Sequence, residues 1–447
     1  TGFVQGLPDT VRERIESINF EQHSVLERLT FYNDSLKVIA DYPIFGAGGG
    51  GWSLLYEQYQ NNPYSSKQAH SFYAQYFIET GAVGFLILIA FLAYIYWHYL
   101  RSYFRSKSED ATPGMVLFIL SAAMLIHSAL DFNMSYLYIG CLVFVCLGGL
   151  SAHSDYSPRH SFLKGRKQVR KYILPGLLII MSLILTIFSS RMLSASHHYV
   201  QALKNLETGN FYEVAEPLES AIRLFPHTDY LGFRSKIYLD VFKQDQNPEF
   251  EQELLSSLAR LKQLEPVNIV GLEIELQLYL EKEEYLKAVE VLEQMRSRMP
   301  WNIRVYNLVI PLYTQLSEDE LNARDLEGHY TRKALERYAQ LTERIAYLDT
   351  LPEGQMQGRT FEVTSKIAHS ISQIYLYHGR YEDVSHLLQP FIKKLGVTDE
   401  SVPLIRNYLV ALMKQDQLDE ALYDEFIAAY PDEEVMIHGV INLLDEA

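Results

Sequence analysis

The chain has 447 residues, with 39 Lys and Arg against 55 Asp and Glu, a formal charge of −16. That acidic balance, with no basic stripe interleaved with aromatics, excludes a nucleic-acid binder. The two cysteines, Cys141 and Cys146, share one apolar run, and HExxH and D-x-D patterns are missing, so neither a disulfide framework, a held metal nor a cofactor is expected.

The length suggests two or three domains. The chain begins TGFVQGLPDT without an initiator Met or a cleavable signal, and so reads as a fragment or a processed form. Residues 1–80 carry two helical pieces. The second opens with a capping box, Ser24-Val25-Leu26-Glu27, and stops before Pro43. Leu29, Leu36 and Ile39 are expected on its apolar side, with Arg28 in the first turn and Tyr32 one turn on. The loop GAGGGG (46–51) follows, and then Trp52. Gly46, Gly48 and Gly51 satisfy the dinucleotide spacing G-x-G-x-x-G, but the loop lacks the G-K-[ST] of a P-loop and the βαβ context of a Rossmann turn. Two readings remain for it: a hinge, with Trp52 anchoring its far side at the membrane interface, or a set of backbone N–H groups at an anion, from Gly48 and Gly50. Next comes HSFYAQYFIETG (70–81), in which Ser71, Gln75 and Glu79 recur every fourth residue as a polar stripe headed by His70.

Four apolar runs follow, at 81–100, 114–132, 134–150 and 172–190, against the roughly 20 helical residues that cross a bilayer. The second and third read as a tight hairpin, with His127 and Asp131 one turn apart near its tip. That pair is either structural or faces a polar cavity in the bundle. Arg101, Arg105 and Lys107 follow the first run, and Arg159, Lys164, Arg166, Lys167, Arg170 and Lys171 separate the third from the fourth, whereas Asp131–Asn133 carries no Lys or Arg. The positive-inside rule puts both basic loops in the cytoplasm. Residues 1–80 and 191–447 are then extracytoplasmic, in a compartment without ATP or NAD.

From about residue 195 onward amphipathic helices succeed one another. Segments 209–226, 283–300, 379–392 and 416–431 share a G/D-Y-like turn, a small contact residue, a large apolar residue and, in three of the four, a closing Pro. They resemble tetratricopeptide repeats, and 340–365, with LPEGQMQGR inside it, breaks their register. A concave solenoid of this kind either binds an envelope partner or braces the membrane part. The expected fold is all-α: an extracytoplasmic loop region (1–80), a polytopic bundle of four spans (81–190) and a repeat solenoid (191–447).

The stretches ERLTFYNDSLKVIADYPIFGAGGGGW, HSFYAQYFIETGAVG and HSALDFNMS together resemble the O-antigen ligase and Wzy polymerase superfamily of bacterial membrane glycosyltransferases. The resemblance covers about residues 24–150; Ser71 stands where the pattern has Asn, and the family's N-terminal spans are absent, so the chain reads as the C-terminal part of a longer or split enzyme. It implies a multi-pass protein of the bacterial cytoplasmic membrane. The implied reaction moves a glycan from undecaprenyl pyrophosphate to an acceptor hydroxyl on a sugar or lipid, without metal or nucleotide. Arg28 is then expected to bind pyrophosphate as a planar fork, and His70 to activate the acceptor, with Glu79 as the alternative base. Tyr32, Gly48, Gly50, Gln75, Glu79, His127 and Asp131 are expected to line the substrate. Polymerase, protein oligosaccharyltransferase and non-catalytic scaffold are the competing readings.

Overall fold

The computed structural model describes residues 23–105, 112–152, 172–207, 211–266, 268–322, 325, 327–352, 355 and 358–446, and all regular structure among them is helical. The first helical piece, Lys107 and the basic loop 159–171 lie outside the described residues. The chain divides into two compact units, one of residues 1–156 with 296–447 and one of residues 157–295.

In the first unit, α1 spans His23–Asp41 and ends two residues before Pro43, which cannot follow a helical residue comfortably. Ser24 already lies inside it, so the expected cap is displaced by a residue or two. The buried face also differs from expectation. Leu29 and Leu36 are exposed, while Phe31, Asp34, Ser35 and Val38 are buried. These four follow the i, i+3, i+4, i+7 rhythm, but the polar pair in the middle conceals the stripe. Asp34 is satisfied there by the Tyr64 hydroxyl at 2.8 Å, the Asn61 N–H at 2.9 Å and Lys37 at 2.7 Å. The next helix, α2 (Gly51–Tyr59), buries Trp52 completely against Phe31, so Trp52 is core and not an interface anchor.

The long helix α3 (Phe72–Tyr103) is followed by α4 (Thr112–His127), a 3-10 turn (Asn133–Ser135) and α5 (Leu137–Ala152). Among the described residues only α3 and a later helix are long and apolar enough to cross a membrane. Four spans are therefore not found among the described residues. With 16 residues each, α4 and α5 rise about 24 Å, short of the 30 Å hydrocarbon core. The cause is local: α4 ends at His127, and residues 128–136 form turns where the sequence reading continued the run to residue 132.

The second unit holds the other long helix, α6 (Leu174–Leu206), whose most apolar window has no buried share. From Ala195 onward α6 packs into a core with α7 (Phe211–Leu224), α8 (Thr228–Asp245), α9 (Pro248–Leu264) and α10 (Ile269–Glu281). The boundary between the units falls within α11 (Tyr285–Arg298).

Back in the first unit come α12 (Ile303–Leu316), α13 (Glu318–Asn322) and α14 (His329–Leu348), then α15 (Ser365–Tyr377), α16 (Tyr381–Leu395), α17 (Val402–Met413), α18 (Glu420–Ala429) and α19 (Glu433–Glu446). The last five share one core around Leu388, Leu409 and Phe426. Helices α7, α11, α16 and α18 coincide with the four repeat-like segments. Those four are split between the two units.

Candidate active site

The glycine loop is spliced into a break in α3. Gly81 has φ 64° and ψ −170°, which interrupts the helix. An unbroken helix would send the Ala82 and Val83 N–H groups to the carbonyls of residues 78 and 79. Here they bond instead to the carbonyls of Pro43 at 2.9 Å and Ile44 at 3.2 Å. The freed carbonyls of Ile78 and Glu79 accept from Ala47 at 2.7 Å and Gly48 at 3.1 Å. The backbones approach so closely that a Cβ at Gly46, whose φ is +75°, would sit 2.5 Å from the Glu79 carbonyl carbon. Among the described residues no atom lies within 4 Å of a Cβ built at Gly48 or Gly49, so that side of the loop is open to them.

The polar stripe of α3 is spent on the backbone of its neighbours. Ser71 caps the helix by accepting from Ala74 N–H, a role that Ser and Asn perform equally. Gln75 accepts from Ala69 N–H at 3.4 Å and donates to Glu79 at 3.2 Å. Glu79 in turn accepts from Gly50 N–H at 3.3 Å. Gln75 and Glu79 thus tie down the chain on either side of the site, and Glu79 is committed to the loop.

His70 sits where the three quoted stretches meet. Its backbone has φ 51°, a conformation uncommon outside glycine. The ring stacks on Phe31 of α1 at 5.0 Å and meets the edge of Phe132, after α4, at 5.0 Å. Its carbonyl accepts from the Tyr32 hydroxyl at 3.2 Å, which also reaches the Ala129 carbonyl at 3.4 Å. The next turn is fixed by Phe72 N–H, which donates to the carbonyls of Ser128 at 2.9 Å and Asp131 at 3.2 Å. Burial pushes the His70 imidazole below its ordinary range; Glu27 and Asp131 pull it up, and Arg28 pushes it down. Burial also raises the Tyr32 phenol, with Arg28 opposing and Asp131 adding.

Arg28, Tyr32, His70 and Asp131 therefore share one electrostatic neighbourhood. Arg28 is half-buried, and its Nε is buried with no hydrogen-bond partner among the described residues. Asp131 lies beside the N-terminus of α3, where the helix dipole favours an anion. The expected His127–Asp131 pair is not formed: exposed His127 meets Asn133 Nδ2 through Nδ1 at 3.2 Å, because α4 ends at His127.

Arg28, with an Nε that has no partner among the described residues, and the aromatic-seated His70 imidazole thus belong to one site. Residues 2–89 match the family model described as O-antigen ligase. The O-antigen ligase match spans about a fifth of the chain and includes Arg28, the glycine loop, His70, Glu79 and Gly81. It stops before the segment that supplies Asp131 and Phe132. No curated protein matches the chain significantly.

The seat of His70 was not legible in the sequence. Phe31 reads as an ordinary apolar residue, and Tyr64 lies in an uninformative NNPYSS stretch. The one available signal was Phe132, which belongs to the HSALDF segment.

Proposed function

We propose that the protein transfers a glycan from undecaprenyl pyrophosphate to an acceptor sugar hydroxyl at the outer face of the bacterial cytoplasmic membrane, in the manner of an O-antigen ligase. The observation that carries the reading is an Arg28 guanidinium whose buried Nε has no partner among the described residues, in the electrostatic neighbourhood of a His70 imidazole that burial shifts toward its neutral form, within the residues that match that family.

In the proposed step the acceptor oxygen attacks the anomeric carbon of the donor sugar. The bond from that carbon to the pyrophosphate oxygen breaks, and undecaprenyl pyrophosphate leaves with the electron pair. The acceptor proton passes to His70, whose neutral form is the one burial favours. Arg28 compensates the charge gathering on the leaving group, an effect worth about 10²–10³ in rate for one good donor. This charge compensation is assigned to Arg28 without a metal. Tyr32, Gln75 and Glu79 shape the site, and the Gly48 and Gly50 N–H groups, both bonded to Glu79, make the glycine loop a structural splice and not an anion seat. Asp131 tunes His70.

The topology proposed is multi-pass, with 1–80 and 191–447 outside, 81–190 holding the membrane helices, and the later helices forming tetratricopeptide-like pairs. Four bonds support a shared side for residues 1–80 and 296–447: Arg298, Trp301, Tyr347 and Arg359 bond to Gln58, Gln60, Asn61 and Glu57. An envelope partner is proposed for the face of the repeat-like helices. A Wzy-type polymerase shares the donor chemistry and differs only in taking a second lipid-linked repeat as acceptor.

Complementation of a deletion strain tests the reading. Arg28→Ala and His70→Ala are expected to abolish glycan transfer on gels of surface polysaccharide, while Gly49→Ala retains it. Wild-type polysaccharide from both of the first two variants would overturn it. In the deletion strain, long unattached chains identify a ligase and single repeats a polymerase.

A further inference from the structure

The segment that breaks the repeat register, LPEGQMQGR (351–359), reaches the site from the other end of the chain. Arg359 is its key residue. Its backbone N–H donates to the Pro63 carbonyl at 2.8 Å. Its Nη1 pairs with Glu57 at 2.6 Å, and its Nη2 donates to Gln60 Oε1 at 3.0 Å and to the Tyr64 carbonyl at 2.9 Å. Gln355 adds bonds to Thr30 of α1 at 3.1 Å and to Asn62 at 3.3 Å. Around them, Trp301 donates to the Gln60 carbonyl at 2.9 Å, Arg298 to Gln58 at 2.6 Å and Tyr347 to Asn61 at 2.9 Å.

The loop so held carries Tyr64, whose ring meets Phe31 edge-on at 4.8 Å, and Phe31 is the face on which His70 stacks. We infer that Arg359 is a positioning residue for the transfer reaction, fixing the Tyr64–Phe31 wall that seats His70, so that residues 296–447 are part of the reaction centre and not only a brace or a partner surface. Its effect on catalysis rests on the proposed function; its effect on His70 does not.

The chemistry favours arginine in this place. A planar fork can satisfy a carboxylate, an amide oxygen and a carbonyl together, whereas a lysine ammonium is a point charge on a flexible stem. Removing the fork leaves the Tyr64 carbonyl and Glu57 without their cation and frees the loop behind Phe31. More water then reaches the half-buried imidazole, and the burial that lowers the His70 pKa relaxes. The charged and titratable groups acting on His70 are Glu27 and Arg28 of α1 and Asp131 after α4, with the Tyr32 hydroxyl on its carbonyl. None of these changes in an Arg359 variant.

The test uses the full chain in membranes. Carbethoxylation of His70 by diethyl pyrocarbonate, which reacts with neutral imidazole, is followed by mass spectrometry between about pH 5 and pH 8. Wild type is expected to react slowly, with a midpoint below the ordinary value of about 6.5. Arg359→Ala should react several-fold faster, with its midpoint moved up toward that value, and Arg359→Lys should fall between them. In transfer assays Arg359→Ala should lower kcat about tenfold with donor KM nearly unchanged. Wild-type reactivity and midpoint in Arg359→Ala would overturn the inference. Should that variant fail to accumulate, wild-type behaviour of Arg359→Lys overturns it equally. Altered His70 reactivity alongside a wild type that transfers no glycan would instead sink the proposed function and leave the positioning role standing.

Discussion

His70 is held by contacts that each have a separate cost of removal. The Tyr32 hydroxyl bonds to two backbone carbonyls, so Tyr32→Phe should cost about 1 kcal/mol of stability and slow transfer modestly by loosening the His70 backbone; chemical denaturation of the purified protein measures the first. The titration of His70 gives a sharper expectation. Because burial lowers its folded pKa, the native state binds fewer protons than the unfolded chain between the two pKa values. The stability cost is absent above about pH 6.5 and grows as pH falls from there. Activity follows the same direction, since only the neutral imidazole can take the acceptor proton. Asp131 raises the pKa; in Asp131→Asn the acid limb of the pH–rate profile should therefore move to lower pH. A limb that stays in place would show that Asp131 does not act on the base.

At the scale of elements, the decisive arrangement is the glycine loop inserted into the break of α3. Gly46 and Gly81 both have positive φ and both face backbone directly. Alanine at either costs about 1–3 kcal/mol from the backbone conformation alone, before the clash. Gly49 has open space around it and no positive φ, so Gly49→Ala should express and melt like wild type, whereas Gly46→Ala and Gly81→Ala should accumulate poorly. Thermal melts in detergent check all three. Helix positions were largely legible in the sequence, because Pro43 and the apolar runs announce themselves locally. What was not legible was assigned by tertiary contact. The carbonyls freed at Ile78 and Glu79 are matched by a loop some thirty residues earlier, which no periodicity encodes. The buried face of α1 was misread because Asp34 and Ser35 occupy its centre, and their compensation by Tyr64 and Asn61 is invisible in a linear pattern. The polar stripe of Ser71, Gln75 and Glu79 is legible as a pattern, but its bonds to the backbone of Ala74, Ala69 and Gly50 are not.

Across the whole molecule, residues 296–447 are joined to the loop before His70 by a set of long-range bonds centred on Trp301 and Arg359. Trp301 is buried, edge-on to Phe361 at 5.1 Å with the Arg344 guanidinium 4.9 Å from its ring centroid. Trp301→Ala should cost about 3–5 kcal/mol and expose residues 57–64 to protease, which mass spectrometry of limited digests reads directly; an unchanged digest would mean that the docking contributes little. One hint of this is visible in the sequence, the break in repeat register at 340–365. Its destination could not be read, since the partners lie about three hundred residues away.

In the proposed transfer His70 takes the acceptor proton while Arg28 receives the leaving pyrophosphate. The most direct measurement is the initial rate of glycan transfer from undecaprenyl pyrophosphate by the full-length protein, followed across pH for wild type and His70→Ala. Wild type should lose rate on the acid side with a midpoint below about 6.5, and His70→Ala should be at least about 10²-fold slower with that limb gone. A His70→Ala protein that transfers at the wild-type rate, with the same acid limb, would contradict the account.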